Sequence, residues 1–426
     1  MKAFVLVYGT RGDVQPYLAL ALALDRAGHE VWLAGPGPFT SFVTDHGIRY
    51  VGLDAGMLRD FDSAQMRDAV GKNLHGLAAL KALRESAIKA SKAIRPVLDT
   101  AYEAADGADV VVHHPLAFAG HHVAEKLGVP AVVGQINPWF VPTREFICAA
   151  YHYRWAQRLP GPLNRASYKL FRTLLTRFAG TELDSWRREI GLPERADRHN
   201  PLLRPDGGPA PVLDAVSPHV APRPRDYPDS VHTTGFWRLP SDADWAPPQA
   251  LTDFLAAGPP PVYVGFGSLV GNPERLGRIA LDAVRIAGVR AVLATGRGGL
   301  DAADVPDGVF VLDQAPHDWL LPRMAAVVYH GGGTIVNAVA AGRPQVICPF
   351  VVDQVFWGDR MHRLGVAPKP IPQRTLTAER LATAIRQAVD DEGMARRARE
   401  LGDLTRDEDG AAEAVRVLEK IHTEAR

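Results

Sequence analysis

Only two cysteines, Cys148 and Cys348, occur in 426 residues, far apart and in apolar surroundings. A disulfide between them is not excluded, but buried free thiols in a reducing compartment are the expected reading. An excess of one charge is also missing. The 48 basic residues balance 48 acidic ones, so the chain as a whole makes no electrostatic case for binding nucleic acid. No apolar run approaches the roughly 18 residues of a membrane span. The opening MKAFVLVYGTRGD holds too short an apolar stretch for a signal-peptide core. A cytoplasmic protein without stable membrane insertion is expected. Short-period repeats and low-complexity tracts are absent as well.

What remains is an ordinary globular composition, 46% hydrophobic and 23% charged, in a chain long enough for two substantial domains. Short apolar strands at 3–8, 31–34, 110–113 and 131–133 alternate with helices such as 14–27, as in a parallel sheet covered on both faces. Residues 136–205 are richer in aromatics and helix formers and read as an insertion. The proline-rich stretch 218–248 reads as an extended linker. Alternation then restarts, with strands at 262–266, 291–294, 309–312, 326–329 and 345–348. The halves echo each other: FVLVYGTRGD and VYVGFGSLVG are both a strand feeding a turn of small residues. The expected fold class is α/β, with two Rossmann-like domains facing each other across a cleft. Residues 1–217 form the first, 218–248 the linker, 249–405 the second, and 406–426 a closing segment.

Residues 330–354, HGGGTIVNAVAAGRPQVICPFVVDQ, carry the most chemistry. A strand runs into His330 and three glycines, then into a helix. Glycines admit a ligand close to the backbone, and a helix start presents unpaired N–H groups and a positive dipole end. That combination suits a diphosphate. After the next strand, Asp353 and Gln354 are suited to sugar hydroxyls. A nucleotide-sugar site follows.

These residues resemble the donor signature of family 1 nucleotide-sugar-dependent glycosyltransferases of the GT-B type. That signature runs His-x-Gly-x-Gly-Thr, then Gly-x-Pro-Gln, then Asp-Gln. His330, Gly333, Thr334, Gly342, Pro344, Gln345, Asp353 and Gln354 match it. Between His330 and Gly342 the chain is one residue shorter than the pattern, which tightens the glycine loop. The resemblance implies that Ser268, His330, Gly331, Gly332, Gly333 and Thr334 meet the donor phosphates. It implies that the backbone near Gln314 and Ala315 reads the nucleobase, and that Asp353 and Gln354 hold the sugar. UDP-glucose fits the acidic pair, and a dTDP-deoxysugar competes with it. Neither a cofactor nor a metal is expected. A helix near 410–422 would return to the first domain.

The turn after the first strand, GTRGDVQP at 9–16, faces the same cleft. From the residues alone, Asp13 either caps the following helix or acts as a base. The turn is similar to Gly-[Ser/Thr]-x-Gly-Asp-Val in the sterol- and antibiotic-modifying members, which implies that Asp13 deprotonates the acceptor. Thr10, Arg11 and His114 would border that acceptor. Arg11 is expected to point away, because a close guanidinium would weaken the base. Trp139, Phe140 and Phe146 offer an aromatic wall to a flat lipophilic acceptor such as a polyketide, sterol, terpenoid or phenol. Inverting transfer of a hexose to a hydroxyl is the expected reaction, by a monomer or homodimer. A nucleotide-sugar epimerase and a non-catalytic partner of a glycosyltransferase are the alternatives. A lipid-intermediate transferase would bring an apolar and basic membrane-facing run, and none is visible. Asp242-Ala243-Asp244 imitates a metal-binding pair but falls in the linker. The pairs His113-His114 and His121-His122 lack two further ligands at zinc spacing.

Overall fold

The computed structural model describes residues 1–61, 93–151, 159–241, 245–267, 273–294, 305–350 and 353–425. Two wholly parallel sheets organise them. The first contains β1 (Lys2–Leu6), β2 (Glu30–Pro36), β3 (Arg49–Leu53), β4 (Val110–His113), β5 (Ala131–Gln135), β6 (Val212–Asp214) and β7 (Val231–Thr233), ordered β3-β2-β1-β4-β5-β6-β7. The second contains β8 (Val262–Gly265), β9 (Ala291–Ala294), β10 (Val309–Leu312), β11 (Val327–Tyr329) and β12 (Gln345–Ile347), ordered β10-β9-β8-β11-β12. The central strands β1, β4, β8 and β11 are apolar and almost wholly buried, as helices on both faces require.

Each sheet reverses its winding beside its own first strand, between β1 and β4 and between β8 and β11. Ligands of open α/β sheets gather beyond the strand ends at such a reversal. The segments leaving these four strands hold Asp13, His114, Gly267 and His330. Topology thus brings the sequence-marked turns of both halves to one cleft.

Two expectations need correction. The first helix starts at Arg11, not at 14, and runs to Arg26. Gly12 reads as a breaker in sequence, yet in a first turn, capped by Thr10, it costs the helix little. The stretch 218–248 is not all linker, because β7 extends the first sheet and Trp237, 2% exposed, packs edge-on against Tyr17 at 5.4 Å. The 136–205 region is dominated by a 29-residue helix, Gly161–Glu189.

The helix Gly410–Glu424 returns to the first domain. Asp409 caps it by accepting from the Ala412 N–H at 3.0 Å, and Ala411, Ala414, Val415 and Leu418 bury against the Arg11–Arg26 helix. The crossing is tight. A Cβ on Gly410 would lie 2.4 Å from the Gly235 carbonyl oxygen.

Candidate active site

Asp13 occupies the third position of its helix and reaches back. Its Oδ2 accepts from the Thr10 N–H at 2.7 Å and from the Thr10 hydroxyl at 3.0 Å. Both bonds fall on Oδ2, so Oδ1 lies outside the cap. Gly9 makes room for the carboxylate, since a Cβ there would sit 2.3 Å from Oδ2. Burial raises the pKa of Asp13, and the two Thr10 bonds only partly oppose it. Arg11 stacks its guanidinium on Phe42, 4.6 Å from the ring centre, and does not depress Asp13. Pro16 lies inside the same helix and has no N–H to give the Gly12 carbonyl.

That carbonyl meets the second domain. A Cβ on Gly333 would stand 3.1 Å from Gly12 Cα and 3.4 Å from its oxygen, so the two glycine turns touch backbone to backbone. Gly331 holds φ at +93°, a conformation L side chains rarely adopt. The imidazole of His330 lies between Gly267 and Gly332, where added Cβ atoms would come within 2.8 and 2.5 Å of it. Its Nδ1 is buried with no hydrogen-bond partner. Burial, helped by nearby His317, lowers the pKa of His330 to about 4, so the ring is neutral at physiological pH. It can bind a diphosphate as an N–H donor but supplies no charge. Thr334 precedes the six-residue helix Ile335–Ala340.

Asp353 opens the helix Asp353–Arg363. Burial first, and the charge of Asp13 second, raise its pKa to about 7. The two carboxyls, one from each domain, therefore sense each other across the cleft. Gln354 is 4% exposed, and its Oε1 accepts from the Phe350 N–H at 2.7 Å, so that oxygen braces the loop before the helix. Gln314 is exposed and Ala315 half-buried in the turn after β10. Ser268 lies outside the described residues.

On the acceptor side the aromatic wall is rearranged. Phe140 is 3% exposed, its N–H bonds Gln135 Oε1 at 3.0 Å, and its ring packs 5.5 Å from Phe171. It belongs to the first-domain interior. Phe146 packs on Phe356 of the second domain at 5.3 Å and so joins the domains. Asn137 does the same, accepting from the Trp357 indole N–H at 3.0 Å. Trp139 is half-buried beside them, with its own indole N–H buried and unpartnered. His114 is 5% exposed and meets Tyr17 edge-on at 5.8 Å, while Tyr17 in turn feels the charge of Asp13. Both cysteines are buried free thiols, pushed up to about 12 by burial.

Sequence reading missed His317. It accepts from or donates to Tyr263 Oη at 3.1 Å, faces Arg11 of the other domain, and is lowered to about 4 by burial and then by Arg11. Only its place just after the strand-end loop 313–316 could have drawn attention to it. A small cavity behind β4 and β5 was also missed. Pro115, Phe118, His121, Phe140, Arg172 and Thr176 line it. Beside it, the rings of His121 and His122 lie 3.8 Å apart, tilted by 43°, and His122 Nδ1 accepts from Arg187 at 2.8 Å. His199 joins them, its Nε2 2.9 Å from Asp184. Among the described residues no cluster fit to hold a metal ion occurs.

Comparison with known proteins agrees with this geometry. The model of the glycosyltransferase family 28 N-terminal domain matches residues 3–146, and that of the erythromycin biosynthesis protein CIII-like C-terminal domain matches 281–421. A sterol 3-beta-glucosyltransferase of Arabidopsis thaliana is 35% identical over 97% of this chain and 67% of its own length. One from Emericella nidulans is 34% identical over 98% of this chain, which spans only 30% of that protein. The crystal structure of the kitacinnamycin glycosyltransferase superposes with a TM-score of 0.71 at 22% identity, covering 99% of this chain and 98% of that one. VinC, solved in complex with dTDP, gives 0.63 at 20%, covering both chains fully. With two parallel-sheet domains, a glycine-rich turn from each at the cleft, and a likeness to two thirds of the plant enzyme, the chain belongs to the family 1 glycosyltransferases of GT-B fold.

Proposed function

We propose that this protein transfers a hexose from a nucleotide-diphosphate sugar, with UDP-glucose as the leading donor, to a hydroxyl of a lipophilic small molecule with inversion. The observation that carries this reading is the meeting of Asp13 and Asp353 from opposite domains, beside a glycine contact that brings the two turns together. A buried carboxylate with a raised pKa is a stronger base than an exposed one. In the proposed step the acceptor oxygen forms its bond to the anomeric carbon while the bond to the departing diphosphate breaks. The hydroxyl proton goes to Oδ1 of Asp13. Asp353, near half-protonated at neutral pH, can donate to or accept from sugar hydroxyls. Backbone N–H groups of 331–334 and the neutral His330 hold the leaving diphosphate, with no metal assigned a role. Relatives that act on sterols support the acceptor class and the glucosyl donor. The dTDP bound to VinC supports the rival donor.

The test is Asp13→Asn, assayed with UDP-glucose, dTDP-glucose and a panel of sterol and polyketide alcohols. Transfer should drop by roughly 100-fold or more, the scale of losing a general base, while donor binding is kept. An active Asp13→Asn enzyme would leave Asp13 as a helix cap only and pass the role to His114.

A further inference from the structure

Three of the six large hydrophobic side chains exposed among the described residues lie on one helix, Gly161–Glu189. They are Leu163, 52% exposed, Leu170, 53%, and Leu174, 47%. Spacings of seven and four residues put them in a single stripe, because an α-helix turns about 100° per residue. On one side of the stripe stand Arg177 and, further round, Lys169, both exposed, while Arg165 is exposed across the helix from it. No acidic residue occurs from 161 to 181, although the chain as a whole is electrically balanced. Arg165 is partly answered by Asp226 on a neighbouring loop, whereas Lys169 and Arg177 have no ion-pair partner among the described residues. A leucine stripe flanked on one side by two cations is invisible as a run in sequence. The fold assembles it.

We propose that this outer helix face docks the protein on an anionic lipid surface. Leucines half out in water gain by entering the headgroup–acyl boundary, and lysines and arginines are drawn to anionic headgroups. No described helix is long and apolar enough to cross a membrane, so the contact is peripheral. A second copy is the weaker occupant, because pairing this face with itself sets cations against cations. The inner side of the same helix carries Arg172, Leu175 and Thr176, which line the cavity behind β4 and β5. A lipophilic acceptor dissolved in that surface would then lie close to the docked enzyme. That motive rests on the proposed acceptor class, but the docking and its test do not.

The experiment is sedimentation of the purified full chain with vesicles of equal parts phosphatidylcholine and phosphatidylglycerol, and with vesicles of phosphatidylcholine alone. The parent protein should favour the anionic vesicles and release as salt is raised. Lys169→Glu/Arg177→Glu and Leu170→Glu/Leu174→Glu should each lower anionic-vesicle partition by roughly tenfold or more. Circular dichroism and UDP binding should match the parent, which separates loss of docking from loss of folding or of the donor site. Binding that is equal on both vesicles, insensitive to salt, or unchanged in the variants overturns the proposal. So does a parent that binds neither vesicle. A concentration-dependent dimer that Leu170→Glu abolishes assigns the face to a second copy instead.

Discussion

Moving the protein from pH 7 to mild acid should destabilise the first domain by way of its interior histidines. His113, His114, His121 and His122 are all buried, and burial lowers each of their pKa values, to about 4 for His113 and about 3 for His114. Arg187, Arg195 and His199 add to this around His122. An unfolded histidine titrates near about 6.5. The folded values lie below that, so the stability these rings confer is complete above about pH 6.5 and is lost as pH falls toward 4. Between pH 7 and about 5.5, linkage charges about 1.3 kcal/mol for each histidine kept neutral, or about 5 kcal/mol for four. Asp214 acts in the other direction. Burial raises it to about 6, and its protonation returns about 1 kcal/mol over the same interval. The net loss of about 4 kcal/mol is a large part of a typical stability of roughly 5–15 kcal/mol. For a domain of this size it lowers Tm by roughly 8–16 °C. Thermal scans of tryptophan fluorescence and near-UV dichroism across this pH range would read the shift. His121→Leu should reduce the slope by about a quarter, since it removes one of four such rings. A Tm that stays level or rises on acidification would refute the reasoning.

Two further outcomes concern the donor. Asp353→Ala should weaken UDP-sugar binding roughly tenfold, the loss of one charge-assisted hydrogen bond, and leave UDP unaffected; His330→Ala should weaken both alike, and calorimetric titration separates the two patterns. Gly332→Ala drives a methyl into the His330 ring, so it should reproduce the His330→Ala titration with a near-native Tm; normal UDP binding by that variant would remove His330 from the phosphate site.

The second domain was the more legible half because its chemistry is local. His330, the three glycines, Asp353 and Gln354 fall within a short stretch, and β9, β10 and the glycine-loop helix follow from simple apolar alternation. The first domain depends on partners distant in sequence. Phe146 looked like part of a binding wall until Phe356 came to cover it, and β7 hid in a proline-rich stretch because three residues carry no periodic signal. Gly12 masked the helix start, since its tolerance there follows from position and not from residue type. Gln354 shows a further limit. A residue suited to hydroxyls spends its carbonyl on the Phe350 N–H, a bond set by loop shape.

The returning helix Gly410–Glu424 also bears on how the molecule is made. The apolar side of the Arg11–Arg26 helix is completed by Ala414, Val415 and Leu418, residues that leave the ribosome far later than the strand beside it. The first domain therefore cannot finish its interior while the second is being synthesised, and a chain stalled before 410 leaves that side open to water. Afterwards the domains are joined by two chain crossings, near Gly235 and near Gly410, which pack against each other. Two adjacent strings permit rotation about one line and resist sliding. Opening of the cleft is therefore expected to resemble a book turning about its spine, with Gly12 and Gly333 at the facing page edges.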